Sequence, residues 1–272
     1  MAFISSRVSQ KIAAWLYSLW KFSRPHTIVG TSLSIIGVYL IAVVNGDRLN
    51  AYAIAPILLP WIACLCGNVY IVGLNQLEDV EIDKINKPHL PIAAGEFSYL
   101  QAQQIVAVTG TLAILLSSAG SFWLFATVAI SLAIGTAYSV PPVRLKRFPF
   151  WASFCILSVR GAIVNLGLFL HFNDGVPVPP SVWALTAFVI VFTFAIAIFK
   201  DIPDIEGDKQ FNISTFTIEL GKEAVFNLAR WVVTICYLAM AIAGISGVVG
   251  VNSTFLIVTH LLILAVFWGR SF

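Results

Sequence analysis

The chain has 272 residues, of which 59% are hydrophobic and 11% charged, and its formal net charge is +3. A soluble domain carries about 25% charged residues, so the composition excludes an ordinary water-soluble enzyme. The mean hydropathy of +0.90 indicates a protein embedded in lipid over most of its length, and no nucleic-acid partner is expected.

Residues 1–21 predict an amphipathic helix at the membrane surface. The apolar side chains that recur near helical spacing are Val8, Ile12, Leu16 and Leu19. Polar residues, including Lys11, fall on the opposite side, a pattern typical of helices that lie in the interface. Residues 22–272 are predicted to form one membrane domain.

Eight apolar stretches follow, each of about the length that a helix needs to cross a hydrocarbon layer of about 30 Å. They lie at roughly 25–44, 52–74, 98–118, 121–141, 149–171, 181–199, 224–249 and 252–268. Backbone polar groups must be paired in lipid, and the alternation typical of barrel strands is missing. The sequence therefore predicts an all-α, polytopic transmembrane helix bundle.

The loop charges predict the orientation of this bundle. With the N-terminus inside, every loop Lys and Arg except Arg48 falls on the inner side, as the positive-inside rule requires. The acidic residues, which this rule does not govern, lie on the same side, apart from Asp47 and Asp174. Function is therefore expected at the inner, cytoplasmic mouth of the bundle.

Two inner connections carry similar acidic sequences, after the second and the sixth span. The shared residues are Asp79 and Asp83 in the first connection and Asp204 and Asp208 in the second. The similarity indicates a parallel internal repeat whose acidic ends return to the same face. A single motif of this kind would fit solvated helix-capping charges, but the repetition favours a functional site.

Helical spacing predicts a stack of oxygen ligands at each of these ends. The two stacks are Asn75, Asp79 and Asp83, and Asp201, Asp204 and Asp208. Like charges at this spacing repel unless a cation screens them, and oxygen ligands without His or Cys select a hard cation. We expect two Mg²⁺ ions that grip a diphosphate between the stacks. A long isoprenoid tail explains how such a diphosphate is retained in lipid, at about 0.8 kcal/mol per buried CH₂.

Basic residues beside the two stacks are candidates for binding the diphosphate. They are Lys87, Arg144, Lys146, Arg147 and Lys200.

With these motifs the sequence resembles the UbiA-type membrane prenyltransferases. Four further blocks, at residues 22–27, 73–91, 136–142 and 199–209, resemble the homogentisate branch of that family. The resemblance covers nearly the whole chain and implies a UbiA-like bundle whose Asp-rich motifs bind Mg²⁺ and a prenyl diphosphate. Members are expected to have nine helices, so a chain that ends at Phe272 after an eighth span predicts a C-terminal truncation.

The resemblance also implies a reaction, which is transfer of a prenyl chain, with phytyl preferred, to homogentisate with loss of CO₂. This step belongs to the synthesis of tocopherol (vitamin E) and other prenylquinones. The expected location is the plasma or thylakoid membrane of a photosynthetic bacterium. Another aromatic acceptor or a chlorophyllide is the alternative within the family.

Two residues inside the spans have both a functional and a structural interpretation. Tyr138 matches a motif that the family places near the reacting carbon, where its ring would stabilise a cation, although it also fits an interfacial anchor. Arg160 is costly within the membrane, and we expect it to meet the carboxylate of the acceptor. A pairing with another helix, or snorkelling to the interface, is the structural alternative.

A secondary transporter is the alternative from a different class of protein, because internal repeats and an intramembrane Arg also occur there. Transporter sites lie near the bilayer midplane, whereas the carboxylates of this chain are predicted at the inner surface. The sequence therefore favours an enzyme.

Overall fold

The computed structural model describes residues 2–46, 53–175, 177–247 and 249–270, with side chains from Ser9 onward. All regular structure in these residues is helical, and they contain no strand. The predicted all-α class is therefore confirmed. Asp47 and Arg48, which the sequence assigns to the outer side, lie outside the described residues, as does Phe272.

The helices alternate with short connections along the whole chain. In chain order they are α1 (Ala2–Phe22), α2 (Pro25–Asn45), α3 (Ala55–Glu78), α4 (Val80–Asn86), α5 (Tyr99–Ser118), α6 (Phe122–Ser139), α7 (Pro149–Leu157), α8 (Val164–Phe172), α9 (Pro180–Phe199), α10 (Ile205–Gln210), α11 (Phe216–Leu220), α12 (Lys222–Ser246) and α13 (Ser253–Gly269). A 3₁₀ turn, Leu145–Arg147, precedes α7, and a π-helical turn, Ser158–Ile163, joins α7 and α8 into one span.

Seven helical spans among the described residues are long and apolar enough to cross a membrane. They are α2, α3, α5, α6, the continuous α7–α8 span, α9 and α12. α13 is also apolar, but its 17 residues fall short of the about 20 that a full crossing needs. The eight predicted stretches coincide with these eight elements to within a few residues, and the last of them, α13, has the predicted length of 17 residues.

Local sequence signals set where several helices begin and end. Pro occupies the first turn of α2, α7 and α9, where its missing N–H group is not needed. Ser98 and Gln101 form a reciprocal capping box at the start of α5. Gly247 ends α12 with φ 68°, a left-handed conformation that glycine adopts without strain.

The core of the bundle lies between α2, α3, α6 and α8. Tyr39, Leu124 and Phe169 are almost completely buried there, and the ring of Tyr39 packs edge-on against Phe172 with centroids 5.1 Å apart. α9 packs against the π-helical turn and α12, and α12 packs against α13. Many large apolar side chains also lie on the outside of the bundle, as a lipid-facing surface requires.

The connections gather at two opposite ends of the bundle. At one end, Ser121 Oγ and His171 Nδ1 lie 2.7 Å apart and link the start of α6 to the end of α8. At the other end, α4 packs against α10, and the 3₁₀ turn packs against α6. This second end therefore contains the acidic and basic connections that the sequence assigns to the inner side.

The polar side of α1 attaches this helix to the bundle. Ser18 Oγ donates a hydrogen bond to Glu96 Oε2 at 2.7 Å, and Lys21 forms an ion pair with the same carboxylate. The hydrogen bond from Lys21, helped by the one from Ser18, lowers the pKa of Glu96. Ile12 and Leu16 are more than half exposed. This apolar face fits contact with the membrane surface, which stays a prediction.

Candidate active site

The two acidic motifs meet at one end of the bundle. The first follows α3 and forms α4, the second follows α9 and forms α10, and α4 packs against α10. Neither motif continues its long helix without a break, because Asp79 and Asp204 occupy the turns at which α4 and α10 begin. Asp79, Asp83, Asp204 and Asp208 are all buried. The structure thus brings the two predicted stacks side by side.

Asp79 is neutralised by two cations from the connection after α6. Arg144 Nη2 donates to Asp79 Oδ1 at 2.9 Å, and Lys146 forms an ion pair with Asp79 Oδ2. Asn75 Nδ2, one turn earlier in α3, donates to the same Oδ2 at 2.8 Å. Three residues predicted to bind substrate or metal therefore converge on one carboxylate.

The second motif has cationic partners of its own. Lys87, which follows α4, forms an ion pair with Asp204, so a residue of the first motif neutralises an acid of the second. Lys200 Nζ lies 2.6 Å from Asp201 Oδ1. Because each of these Asp residues has a Lys beside it, the mouth contains a network of alternating charges.

Two other predicted residues lie at the edge of this network. Arg147 has an exposed side chain, and its carbonyl oxygen accepts a hydrogen bond from Ser214 N at 3.2 Å. Its guanidinium takes part in none of the ion pairs formed within the described ranges. Tyr138, one residue before the end of α6, lies within electrostatic range of both Lys200 and Asp201. The phenol thus lies near the second motif, and its role at the reacting carbon stays a prediction.

Arg160 lies in the π-helical turn, a distortion that is frequent at functional sites. Asn165 Nδ2 stabilises this turn by donating to the carbonyl oxygens of Arg160 at 3.2 Å and Gly161 at 2.7 Å. The guanidinium points toward α2, since a Cβ atom at Gly30 would lie 3.9 Å from its Nη1, and its charge acts on His26. In the described part of the chain, Arg160 has no carboxylate within ion-pair distance. A pairing of Arg160 with another helix through an ion pair is therefore not seen there, and its role at the acceptor carboxylate stays a prediction.

The sequence prediction omits Arg24, which belongs to the same cluster. Its Nη2 donates to Asn75 Oδ1 at 3.1 Å. Arg24 has φ 52°, a left-handed conformation that costs a non-glycine residue about 1–2 kcal/mol. Buried Gln76 supports this turn by donating to the carbonyl oxygen of Phe22 at 2.8 Å. The only signal for Arg24 in the sequence is its place in the block at 22–27.

The arrangement fits a divalent cation held between the two motifs. Asp83 Oδ2 and Asp204 Oδ1 are buried and have no hydrogen-bond partner among the described residues. A buried carboxylate oxygen without a partner is costly, and a hard cation is the ligand that its chemistry selects. Within the described ranges no group of three His, Cys, Asp or Glu side chains is arranged to hold a metal ion. Mg²⁺ needs fewer, because water and substrate phosphate complete its shell.

Two carboxyl groups of the site have raised pKa values. Burial is the main cause for Asp83, whose pKa is raised to about 6 although the charges of Arg24 and Lys87 oppose the shift. Burial, together with repulsion by Asp204, raises the pKa of Asp208 to about 7. Each of these carboxylates therefore costs folding free energy when it is ionised.

Replacing Asp208 with Asn is expected to stabilise the metal-free protein, because the variant cannot ionise at this position. A pKa raised in the folded state lowers stability most above that pKa, so the gain should be full at pH 8 and shrink as the pH falls from 7 toward 4. After a discount for solvent screening, we expect about 1–2 kcal/mol at pH 8. Thermal unfolding in the presence of a chelator at pH 8, 6 and 5 measures it. Glu206→Gln, a change at an exposed residue of the same helix, is the control and should leave stability unchanged. If Asp208→Asn gains no stability at pH 8, or gains no more than Glu206→Gln, the expectation is contradicted.

Comparison with known proteins identifies the same architecture. The profile of the UbiA prenyltransferase family matches residues 33–272. A homogentisate phytyltransferase of Synechocystis sp. is 53% identical over 264 residues, which cover 95% of this chain and 86% of that protein. Homogentisate phytyltransferase 1 of Arabidopsis thaliana is 41% identical over 286 residues, which cover 99% of this chain and 71% of that protein. This chain also superposes on the structure of a UbiA homolog from Archaeoglobus fulgidus bound to DMAPP and Mg²⁺, with a TM-score of 0.70 and 16% sequence identity. The superposition covers 93% of this chain and 88% of that chain, so the two proteins share a fold.

Fold and site together define a polytopic helical membrane protein with two facing acidic motifs at one mouth. The chain belongs to the UbiA prenyltransferase family. It is thus an integral membrane prenyltransferase, and the transporter considered from the sequence is not supported.

Proposed function

We propose that this prenyltransferase moves a phytyl chain from its diphosphate to homogentisate, with loss of CO₂, as a step of tocopherol synthesis. The acceptor is supported by the 53% identity to the Synechocystis phytyltransferase. The observation that carries the reaction type is the meeting of the two acidic motifs, each with a buried carboxylate oxygen that has no partner in the described ranges. Geranylgeranyl and solanesyl diphosphate are the alternative donors.

Mg²⁺, as two ions, would be held by the acidic motifs. The proposed ligands are Asn75, Asp79 and Asp83 for one ion, and Asp201, Asp204 and Asp208 for the other. When bound, the metal supplies positive charge to the leaving diphosphate, which lowers the barrier to breaking the allylic C–O bond.

The basic residues of the mouth would exchange partners when substrate binds. Lys87, Arg144 and Lys146 each pair with an Asp in the structure. Once those carboxylates are neutralised, the same side chains are free to donate charge-assisted hydrogen bonds to diphosphate oxygens. Lys200 and the exposed Arg147 would contribute at the rim. No protein nucleophile is needed for this reaction.

The acceptor ring would meet the allylic cation below the mouth. The C–O bond electrons leave with the diphosphate, and an electron-rich ring carbon forms the new C–C bond and gives up its proton. The acceptor carboxylate departs as CO₂, and the methylene carbon takes up a proton. Tyr138 would stabilise the cation through its ring, and Arg160 would bind the carboxylate before its loss.

We also propose that the mouth faces the cytoplasm, in a plasma or thylakoid membrane. The support is the asymmetry of the loop charges, since Lys and Arg concentrate at the end of the bundle that contains the motifs.

An assay of the purified enzyme with homogentisate and labelled phytyl, geranylgeranyl or solanesyl diphosphate tests these proposals. We expect prenylated methylbenzoquinol and CO₂ in equal amounts, with phytyl diphosphate giving the highest kcat/KM. Chelation should stop turnover and added Mg²⁺ should restore it. Product formation that survives chelation would contradict the metal assignment, and turnover with another aromatic acceptor but not with homogentisate would contradict the acceptor.

A further inference from the structure

Asn86, the last residue of α4, uses its side chain to contact α10 of the other motif. Its Nδ2 donates to the carbonyl oxygen of Asp204 at 2.9 Å and, at 3.4 Å, to Asp208 Oδ1. Its Oδ1 accepts the N–H group of Gly207 at 2.9 Å. One amide therefore contacts three residues of the second motif.

The bond to Gly207 replaces one that Asp204 would be expected to make. Asp204 is the N-cap residue of α10, and an Asp at this position normally accepts a hydrogen bond from the backbone N–H three residues later. That N–H belongs to Gly207, yet the side chain of Asp204 makes no capping bond. Asn86 thus caps α10 from another helix, and the Asp204 carboxylate points to Lys87 with a second oxygen that has no partner among the described residues.

We propose that Asn86 is a positioning residue for the metal site. By capping α10 from the first motif, it keeps the carboxylate of Asp204 directed at the cation instead of at its own helix. The inference rests on the proposed divalent-cation role of Asp204. Without Asn86, Asp204 would turn part of the time toward the Gly207 N–H group and would bind the cation more weakly.

Gly207 provides a second way to break the same contact. A Cβ atom at this position would lie 2.6 Å from Asn86 Oδ1 and 2.7 Å from its Cγ. Gly207→Ala would therefore push the Asn86 amide away from α10, while Ala itself favours the helix. The two variants disturb one contact from opposite sides.

The test measures divalent-cation binding directly, by titrating the chelator-treated, purified full-length protein with Mn²⁺ and recording the electron paramagnetic resonance of free Mn²⁺. Asn86→Ala and Gly207→Ala are each expected to weaken binding at least about tenfold and to raise the half-saturating Mg²⁺ of turnover similarly. Turnover at saturating Mg²⁺ should change less than about threefold. Asn227→Ala, at an exposed asparagine on α12, should behave as the wild type.

A double-mutant cycle separates positioning from general loosening of the fold. In an Asp204→Asn background the side chain at position 204 is already a poor ligand, so Asn86→Ala should weaken Mn²⁺ binding at most about threefold further. An equal tenfold loss in both backgrounds, or wild-type Mn²⁺ affinity in both single variants, overturns the inference. If the wild type itself binds no Mn²⁺ and needs no Mg²⁺, the proposed function fails instead.

Discussion

Asp83→Asn is expected to lower kcat/KM for prenyl transfer by at least about 1000-fold, while the variant still folds and inserts into membranes. Asp83 is buried, and its Oδ2 has no hydrogen-bond partner among the described residues, so this oxygen is available to bind a cation. An amide is a much weaker ligand for Mg²⁺, and loss of the charge that holds the cation removes about 4 kcal/mol of transition-state stabilisation. Steady-state kinetics with phytyl diphosphate and homogentisate measure the loss.

Glu81→Gln is the matched control for this variant. Glu81 lies on the same short helix, but its carboxylate is exposed and pairs with Lys84 at 2.7 Å. Because exposed ion pairs contribute little to the free energy of unfolding, the control should keep wild-type kinetics and stability. Comparable losses in the two variants would mean that charge on α4 matters in general and would remove the specific role of Asp83.

Arg160→Leu is expected to raise the KM for homogentisate about 100-fold and to change the KM for the prenyl diphosphate less than about threefold. A charge-assisted hydrogen bond to a carboxylate in a low-dielectric site contributes about 1.5–3 kcal/mol, which corresponds to roughly one to two orders of magnitude in affinity. An acceptor without a carboxylate should react equally well with wild type and variant. Equal changes in both KM values would remove the acceptor role.

Arg230→Leu controls for the loss of any intramembrane arginine. Arg230 lies in α12, and its guanidinium stacks on the ring of Trp268 at 4.3 Å. Its loss should lower thermal stability without a selective change in the KM for homogentisate. A selective effect of this control would indicate that the kinetic change in Arg160→Leu is indirect.

The sequence predicts the bundle and the convergence of its acidic ends because both depend on strong local patterns. Apolar runs of membrane-spanning length have no other stable conformation in lipid. The two acidic motifs are likewise visible because they repeat with the same spacing, and Lys87 closely follows the first of them. Arg144 and Lys146 are distant from both motifs in the sequence and are predicted to join them because their loop returns to the same face.

The remaining features depend on contacts between distant residues, which local patterns do not encode. The left-handed turn at Arg24 lies beside the hydrogen bond from Gln76 to Phe22, a contact between distant residues, and no propensity favours this conformation for Arg. The cap that Asn86 gives to α10 exists only after two motifs have met. The exposure of Arg147 depends on the direction of one side chain in a 3₁₀ turn, which its place in a basic loop does not reveal.

The attachment of α1 gives the catalytic mouth a mechanical link to its surroundings. Glu96, which holds Ser18 and Lys21 of this helix, lies in the connection that follows α4 and Lys87. Because this connection leads from α1 back to the first acidic motif, we expect a displacement of α1 by headgroup packing, bilayer curvature or a detergent micelle to reach that motif. We therefore expect the surrounding lipid to affect the geometry of the site as well as to dissolve the prenyl substrate.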